Sequence, residues 1–316
     1  MNQEINPSGR SKRITVLYGG WSAEREVSLV SGKACAEALS SRGHDVVLTD
    51  ATRDLPALIA ALTEAAPEIV FNALHGKGGE DGTIQGVLDV LGVRYTHSGV
   101  LASALAMDKQ MAKKVLGAAG IPVPAGEIVP VADLRAGLSM TPPCVVKPND
   151  EGSSVGVHIV QPGDNRTAIW DDCPDGAQFL VEPYIRGRDL TVAVMDGSEG
   201  PKALAVTEIA PREGFYDYRA KYTAGYADHI VPARVPDAVT DACLDFAARA
   251  HAALGCRGVS RADFRFDDER PGAEGLFMLE VNTQPGMTPL SLVPEQAAYR
   301  GIDFADLCEW LVEVAQ

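Results

Sequence analysis

The stretch "MLEVNTQPGMT", Met278 to Thr288, decides the reading of the whole chain. Its first half reads as a β-strand, along which side chains alternate between faces: Glu280 and Asn282 project to one side, Leu279 and Val281 to the other. The Gln-Pro-Gly that follows breaks the strand. A carboxylate and a carboxamide on one face can be a solvated strand face. They can also be two oxygen ligands of a hard cation, since Mg²⁺ typically takes one or two carboxylates plus phosphate oxygens. The second reading requires a third oxygen ligand and a phosphate site.

Both have candidates. In "GVSRADFRF", Gly258 to Phe266, Arg261 and Asp263 share one strand face, with Ala262 and Phe264 on the other, on what reads as the neighbouring antiparallel strand. Alone, this pair would be an ordinary exposed face. "CVVKPNDEGSSVGVHIV", Cys144 to Val160, reads as a strand–loop–strand hairpin. Its Gly/Ser loop exposes backbone N–H groups to an anion, and Lys147 adds a positive charge. A plain turn is the competing reading. The pattern G-x-x-x-x-G-K-[ST] opening a helix is absent, which excludes a P-loop.

Composition narrows the class. With 316 residues, 46% hydrophobic and 22% charged, the chain is globular and can bury two or more cores. A net charge of -15 argues against a nucleic-acid surface. No apolar run approaches the roughly 18 residues of a membrane span, and the polar start "MNQEINPSGRSKR" does not read as a signal peptide. The expectation is a cytoplasmic protein without membrane or nucleic-acid partners. The cysteines at 35, 144, 173, 243, 256 and 308 form no C-x-x-C pair, so buried free thiols are expected rather than a zinc site or a disulfide framework.

Strands and helices alternate at the start: "RITVLYGG", then "EVSLVSGKACAEALSSRG", "DVVLTD" and "EIVFNALHG". This implies a parallel sheet covered by helices, with Gly19-Gly20 and His75-Gly76 at the carboxyl ends of strands, where such sheets bind ligands. "ALAMDKQMAKKVLGAAG" reads as one helix stopping at Gly120. Beyond Leu101 the strands are expected to be shorter and hairpin-like. The expected class is α/β, with an N-terminal parallel-sheet (Rossmann-like) domain over 12–98 and two mixed α+β domains over 99–182 and 183–316.

The order lysine plus glycine-rich hairpin, then R-x-D, then E-x-N-x-x-P-G-M resembles the ATP-grasp fold. With "GGWSAEREVSLVSG" (19–32), "ALHGKGGEDGTIQG" (73–86), "MDK" (107–109) and "FYDYRAKYTAGY" (215–226), the chain closely resembles the D-alanine:D-alanine ligase family, from about Ile14 onward. The resemblance implies ATP-dependent formation of D-alanyl-D-alanine through an acyl phosphate, for peptidoglycan and hence cell shape. It implies D-alanine and ATP as partners, two Mg²⁺ ions with Mn²⁺ as a substitute, and a homodimer as an admissible assembly.

It also implies residue roles. Asp263, Glu280 and Asn282 match the metal ligands, with Glu280 able to bridge two ions. Lys109 and Lys147 match phosphate contacts, and the hairpin Glu151, Gly152, Ser153, Ser154, Val155 and Gly156 would close over the phosphates. Glu182 fits near the adenine amino group and Asp189 at the ribose. Glu24 would bind the first D-alanine's ammonium, with His75 beside that subsite; Ser153 and Tyr222 would link Glu24 to the closing loop. Arg261 and the Gly286 N–H would stabilise the tetrahedral oxyanion, and Lys221 and Ser291 would take the second D-alanine's carboxylate. Tyr at the position of Tyr222 goes with D-alanine as second substrate in the family, and Phe with D-lactate. A lid is expected over about 211–233. Pro183, Asp189, Gln284, Pro289 and Leu290 depart from the family's commonest pattern.

Three other readings stand beside this one. The chain could be a D-alanine:D-lactate or other ATP-grasp ligase, or a non-catalytic nucleotide-binding module, against which Arg261 and the metal residues weigh. A dinucleotide-dependent oxidoreductase would use Asp50 as its ribose acid, but G-x-G-x-x-G is absent and the Asp, Glu and Asn trio is left unexplained.

Overall fold

The computed structural model describes residues 10–152, 156–164, 170–171, 173–212 and 226–316. The first layer is a parallel sheet of β1 (Arg13–Gly19), β2 (Asp45–Ala51), β3 (Ile69–Asn72) and β4 (Arg94–Tyr95), in the order β2-β1-β3-β4. The crossovers are helices α1 (Arg25–Ser41), α2 (Leu55–Ala65) and α3 (Thr83–Leu91). Alternation decides which face each side chain serves. Ile14, Val16, Ile69 and Phe71 pack toward Cys35 and Leu39 of α1, while Leu17 and Val70 pack toward Leu58 and Leu62 of α2 and Leu88 of α3.

The helix expected up to Gly120 is two helices, α4 (Val100–Met107) and α5 (Lys109–Ala118). Asp108 adopts an extended backbone (φ -80, ψ 100) and its carboxylate accepts from Met111 N at 2.9 Å, so it caps α5 instead of continuing α4. Asn149 takes up two more of the helix's free donors: its carbonyl accepts from Lys109 N and its side chain from Gln110 N, each at 3.0 Å. The break fixes Lys109 at the first turn of α5, against the end of the glycine-rich hairpin.

A second, antiparallel sheet contains β5 (Glu127–Pro130), followed by helix α6 (Val131–Ala136), then β6 (Cys144–Pro148), β7 (His158–Val160) and β8 (Gln178–Pro183). Its order is β5-β8-β6-β7, and β6 and β7 form the expected hairpin. Cys144, Val146, Phe179 and Val181 enter its core with Trp170, which turns Val145, Lys147 and Glu182 to the opposite face.

The third sheet, also antiparallel, contains β9 (Arg188–Met195), β10 (Lys202–Pro211) and β11 (Ala227–Ile230), then after helix α7 (Asp237–Leu254) the strands β12 (Val259–Phe266) and β13 (Leu276–Asn282). The order is β11-β10-β9-β12-β13. Three of its strands are longer than any in the first sheet, contrary to the sequence expectation: β9 and β12 have 8 residues and β10 has 10, against 7 for β1 and β2, while β11 has 4. The sheet is covered on both faces, which sustains long apolar strands. Leu190, Val192 and Val194 pack with α7, α4 and α5, and Ala193 and Met195 join the core of the first layer. Two last helices, α8 (Leu292–Tyr299) and α9 (Phe304–Glu313), return to that core, where Leu307, Leu311 and Val312 lie with Ile14 and Leu39.

Five of the six cysteines are buried and all six are free thiols. Among the described residues no helix is long and apolar enough to cross a membrane.

Candidate active site

One cleft, enclosing about 1760 Å³ of space partly open to solvent, runs between the second and third sheets to the carboxyl ends of β1 and β3. Of the predicted site residues that the structure describes, all but Gly156 line it. Gly156 has φ +69 and a Cβ there would come within 2.9 Å of Pro148, so it shapes the hairpin turn without lining the cleft. Ser153, Ser154, Val155, Lys221 and Tyr222, and the centre of the expected lid, lie outside the described residues.

The metal-type residues converge by strand register. Asp263 pairs with Glu280 and Arg261 with Asn282 across β12 and β13. A bulge follows at once, because Phe264 pairs with Met278 and leaves Leu279 as the extra residue. Its effect is a change of face. Leu276 and Met278 lie in the core, and strict alternation would have sent Glu280 in after them; past the bulge Val281 takes the core position instead. Leu279, expected on the face away from the site, therefore lines the cleft.

Asp263 is held from two sides: Arg261 donates through Nε at 2.9 Å and Nη2 at 2.8 Å, and Thr191 Oγ1 donates at 2.6 Å. Lys109 Nζ lies 4.0 Å from Glu280, and Asn282 Oδ1 accepts from Gln284 N at 2.8 Å. Among the described residues no three His, Cys, Asp or Glu side chains cluster as a self-sufficient metal cage. Two carboxylates and one carboxamide, all hard oxygen donors on adjacent strands, fit Mg²⁺ that completes its shell from phosphate and water.

At the other end of the cleft Glu24, at the start of α1, is buried beside a second acid, Glu80. Glu80 accepts from Gly76 N, and burial, then the neighbouring charge of Glu24, push its pKa up to about 8. A Cβ on Gly152 would lie 2.8 Å from Glu24 Oε1, so a larger residue there would press on this acid. His75 is buried, bonded through Nε2 to Ser31 Oγ at 3.0 Å, and burial lowers its pKa to about 4, which leaves it neutral at pH 7. Ser22 Oγ donates to the His75 carbonyl at 2.6 Å and accepts from Glu24 N at 3.1 Å, tying the two predicted residues together.

The remaining end is walled by Val145, Pro183, Tyr184, Ile185, Leu190 and Phe264, an apolar slot suited to a nucleobase. Glu182 opens into it, its Oε1 2.6 Å from Lys147 Nζ and its Oε2 paired with Lys113. Asp189 pairs with Arg265 Nη1 at 2.7 Å, and the same guanidinium donates to the carbonyls of Ile185 and Gly187 at 3.1 and 3.0 Å. That pair orders the connection between β8 and β9.

Two family models match the chain: one described as the D-ala D-ala ligase C-terminus over residues 131–313, the other as the D-ala D-ala ligase N-terminus over 50–98. The chain belongs to the D-alanine–D-alanine ligase family. Relatives named D-alanine–D-alanine ligase include one from Gluconobacter oxydans, 55% identical over 96% of this chain and 99% of its own length. Another, from Cereibacter sphaeroides, is 56% identical over 98% and 97%. Among solved structures, the D-alanine–D-alanine ligase from Bacillus anthracis complexed with ATP matches with a TM-score of 0.77 at 31% identity, covering 96% of this chain and 97% of that one. The VanG D-Ala:D-Ser ligase from Enterococcus faecalis matches with a TM-score of 0.78 at 28% identity, over 96% and 99%.

Two residues of this ligase's site escaped the sequence reading: Glu80, which lines the cleft, and Lys113, which is buried behind it against Glu182. Glu80 stands in the quoted "HGKGGEDG", where an acid in a glycine-rich loop at a strand's carboxyl end was the available signal. Lys113 follows Lys109 by one helical turn on the buried face of α5, and that spacing was its signal. Gln284 and Leu290, which depart from the family's commonest residues, both bear on the site. Leu290 lines the cleft, and Gln284 Nε2 donates to the Leu74 carbonyl beside His75.

Proposed function

We propose that the chain joins two D-alanines into D-alanyl-D-alanine with ATP, through an acyl phosphate, as a cytoplasmic step toward peptidoglycan. One observation carries this reading: a single cleft joins an apolar nucleobase slot, the Asp263–Glu280–Asn282 corner with Arg261 beside it, and a buried acid pair at Glu24 and Glu80. A nucleotide module without catalysis has no use for the acid pair.

The ammonium of the first D-alanine pairs with Glu24, while Glu80 and neutral His75 close the subsite without adding positive charge. Its carboxylate oxygen attacks the γ-phosphorus, and ADP leaves. Asp263, Glu280 and Asn282 would hold Mg²⁺, which when bound would neutralise phosphate charge during the transfer. Lys109, fixed at the first turn of α5, points its ammonium to the same corner. The free amine of the second D-alanine then attacks the acyl carbon. Arg261 and the Gly286 N–H receive the oxyanion that forms there, a contact typically worth about 3–4 kcal/mol of barrier, and phosphate leaves. Ser291 stands beside Gly286, 2.8 Å from where a Cβ there would be, in position for the incoming carboxylate.

A coupled assay of ADP release with D-alanine, L-alanine, D-lactate or D-serine, followed by product analysis, tests the reading. D-Alanyl-D-alanine should dominate. Turnover only in the presence of D-lactate or D-serine as second substrate would reassign the chain within its family.

A further inference from the structure

Lys113 does not line the cleft, yet it is buried. Its ammonium donates to the Pro124 carbonyl at 3.2 Å and pairs with Glu182 Oε2, while Lys147 holds Glu182 Oε1 at 2.6 Å. Each oxygen of one buried carboxylate is thus claimed by a different lysine. The two lysines are not equivalent. Lys147 lines the cleft from β6, within reach of a bound phosphate, whereas Lys113 stands behind Glu182 on α5's buried face and does not line the cleft, its ammonium also bonded to the Pro124 carbonyl.

We propose that Lys113 is a positioning residue for nucleotide choice: from behind the cleft it keeps Glu182 an ionised acceptor after Lys147 has turned to the phosphates, so the site prefers a 6-amino purine nucleotide to a 6-oxo one. The inference rests on the reading of Glu182 as the base contact. A 6-amino group donates to a carboxylate. A 6-oxo group is itself an acceptor, so an ionised carboxylate offers it no donor and only the protonated acid can bond to it from this position.

The electrostatics give Lys113 this role. Burial alone raises the pKa of Glu182, and Lys147 and then Lys113 more than offset it, bringing the group below its ordinary value. The charged groups facing the pair are Lys147 from β6, Lys113 from α5 and, acting on Lys113, Lys109 from the start of α5. Once Lys147 is engaged by phosphate, Lys113 is the remaining contact cation. Without it the desolvated carboxylate takes up a proton and turns from acceptor to donor.

The test compares kcat/KM for ATP and inosine triphosphate in the full chain and in Lys113→Met and Lys113→Arg across about pH 6–9, with Lys113→Gln available should Met fold poorly. The wild type should favour ATP at every pH. Lys113→Met should lose roughly tenfold or more of that preference at the acid end, through KM rather than kcat, and regain it as pH rises. Lys113→Arg should behave as the wild type. An unchanged ATP preference in Lys113→Met and Lys113→Gln, whatever happens to their stability, overturns the role of Lys113 alone. Equal use of the two nucleotides by the wild type overturns the Glu182 base contact, and the inference with it.

Discussion

Asn72 and Gln284, 212 residues apart in the chain, share a buried hydrogen bond of 2.6 Å from Asn72 Nδ2 to Gln284 Oε1. Asn72 ends β3 and also donates to the Gly79 carbonyl at 3.0 Å, while its own Oδ1 accepts from Leu74 N at 3.1 Å. The bond therefore clamps the His75 loop of the first sheet to the segment that follows the metal-type strand. Gln284→Ala should destabilise the protein by about 1–3 kcal/mol for each buried group left unpaired. Because the clamp positions the Glu24 and His75 subsite, KM for D-alanine should rise more than KM for ATP. Urea unfolding with steady-state kinetics checks both; an unaltered D-alanine KM would mean the clamp is structural only.

Glu280→Gln and Asp263→Asn should each reduce turnover by orders of magnitude and leave the fold intact, since both side chains lie at the cleft and outside the core. Circular dichroism with ADP-release kinetics reads the two effects separately. Near wild-type rates at ordinary Mg²⁺ would remove the metal role from these positions.

Glu80 makes stability depend on pH in a definite direction. Its folded pKa, about 8, lies above the ordinary 4.5, so the folded state without substrate binds the extra proton. The stability this contributes is complete below about pH 4.5 and is lost as pH rises to about 8. His75, lowered to about 4, and His97, lowered to about 3, act oppositely: their contribution holds above 6.5 and is lost as pH falls. Glu80→Gln should flatten the alkaline limb of a melting-temperature profile and leave the acid limb in place. D-Alanine binding near pH 7 should release a proton in the wild type, measurable by calorimetry in buffers of different ionisation heat, and less in the variant.

Tyr222→Phe tests second-substrate choice. If the tyrosine hydroxyl bonds toward Ser153 and Glu24, as the family resemblance implies, its loss removes a bond to a charged network worth about 1.5–3 kcal/mol. The D-lactate to D-alanine ratio of kcat/KM should then rise by roughly ten- to a hundredfold. A constant ratio would shift the discrimination to Lys221 and Ser291.

Much of this architecture is legible in the sequence because apolar periodicity and glycine stops are local signals. The parallel first sheet, the β6–β7 hairpin and the adjacency of Asp263 with Glu280 all follow from them. What was not legible depends on contacts between distant segments. The bulge at Leu279 is set by pairing with β12, and no feature of "MLEVN" announces it; the faces of Glu280 and Asn282 came out right because the shift falls just before them. Asp108 breaks a run that is helical by pattern, because its side chain caps α5 where Asn149 of the hairpin meets it. Glu80 and Lys113 are ordinary charged residues by composition, and their burial arises only where distant segments meet, Glu80 beside Glu24 and Lys113 against Glu182.

The return of α9 to the first sheet bears on how the chain acquires its structure during synthesis. Ile14, Val16 and Leu39 leave the ribosome long before the residues that complete their core, Leu307, Leu311, Val312 and Ala315. The Tyr95 and Gln316 backbones then close against each other at 3.1 and 3.4 Å. Until that moment one face of the nascent parallel sheet carries uncovered apolar surface, the condition under which chaperone engagement and aggregation compete with folding.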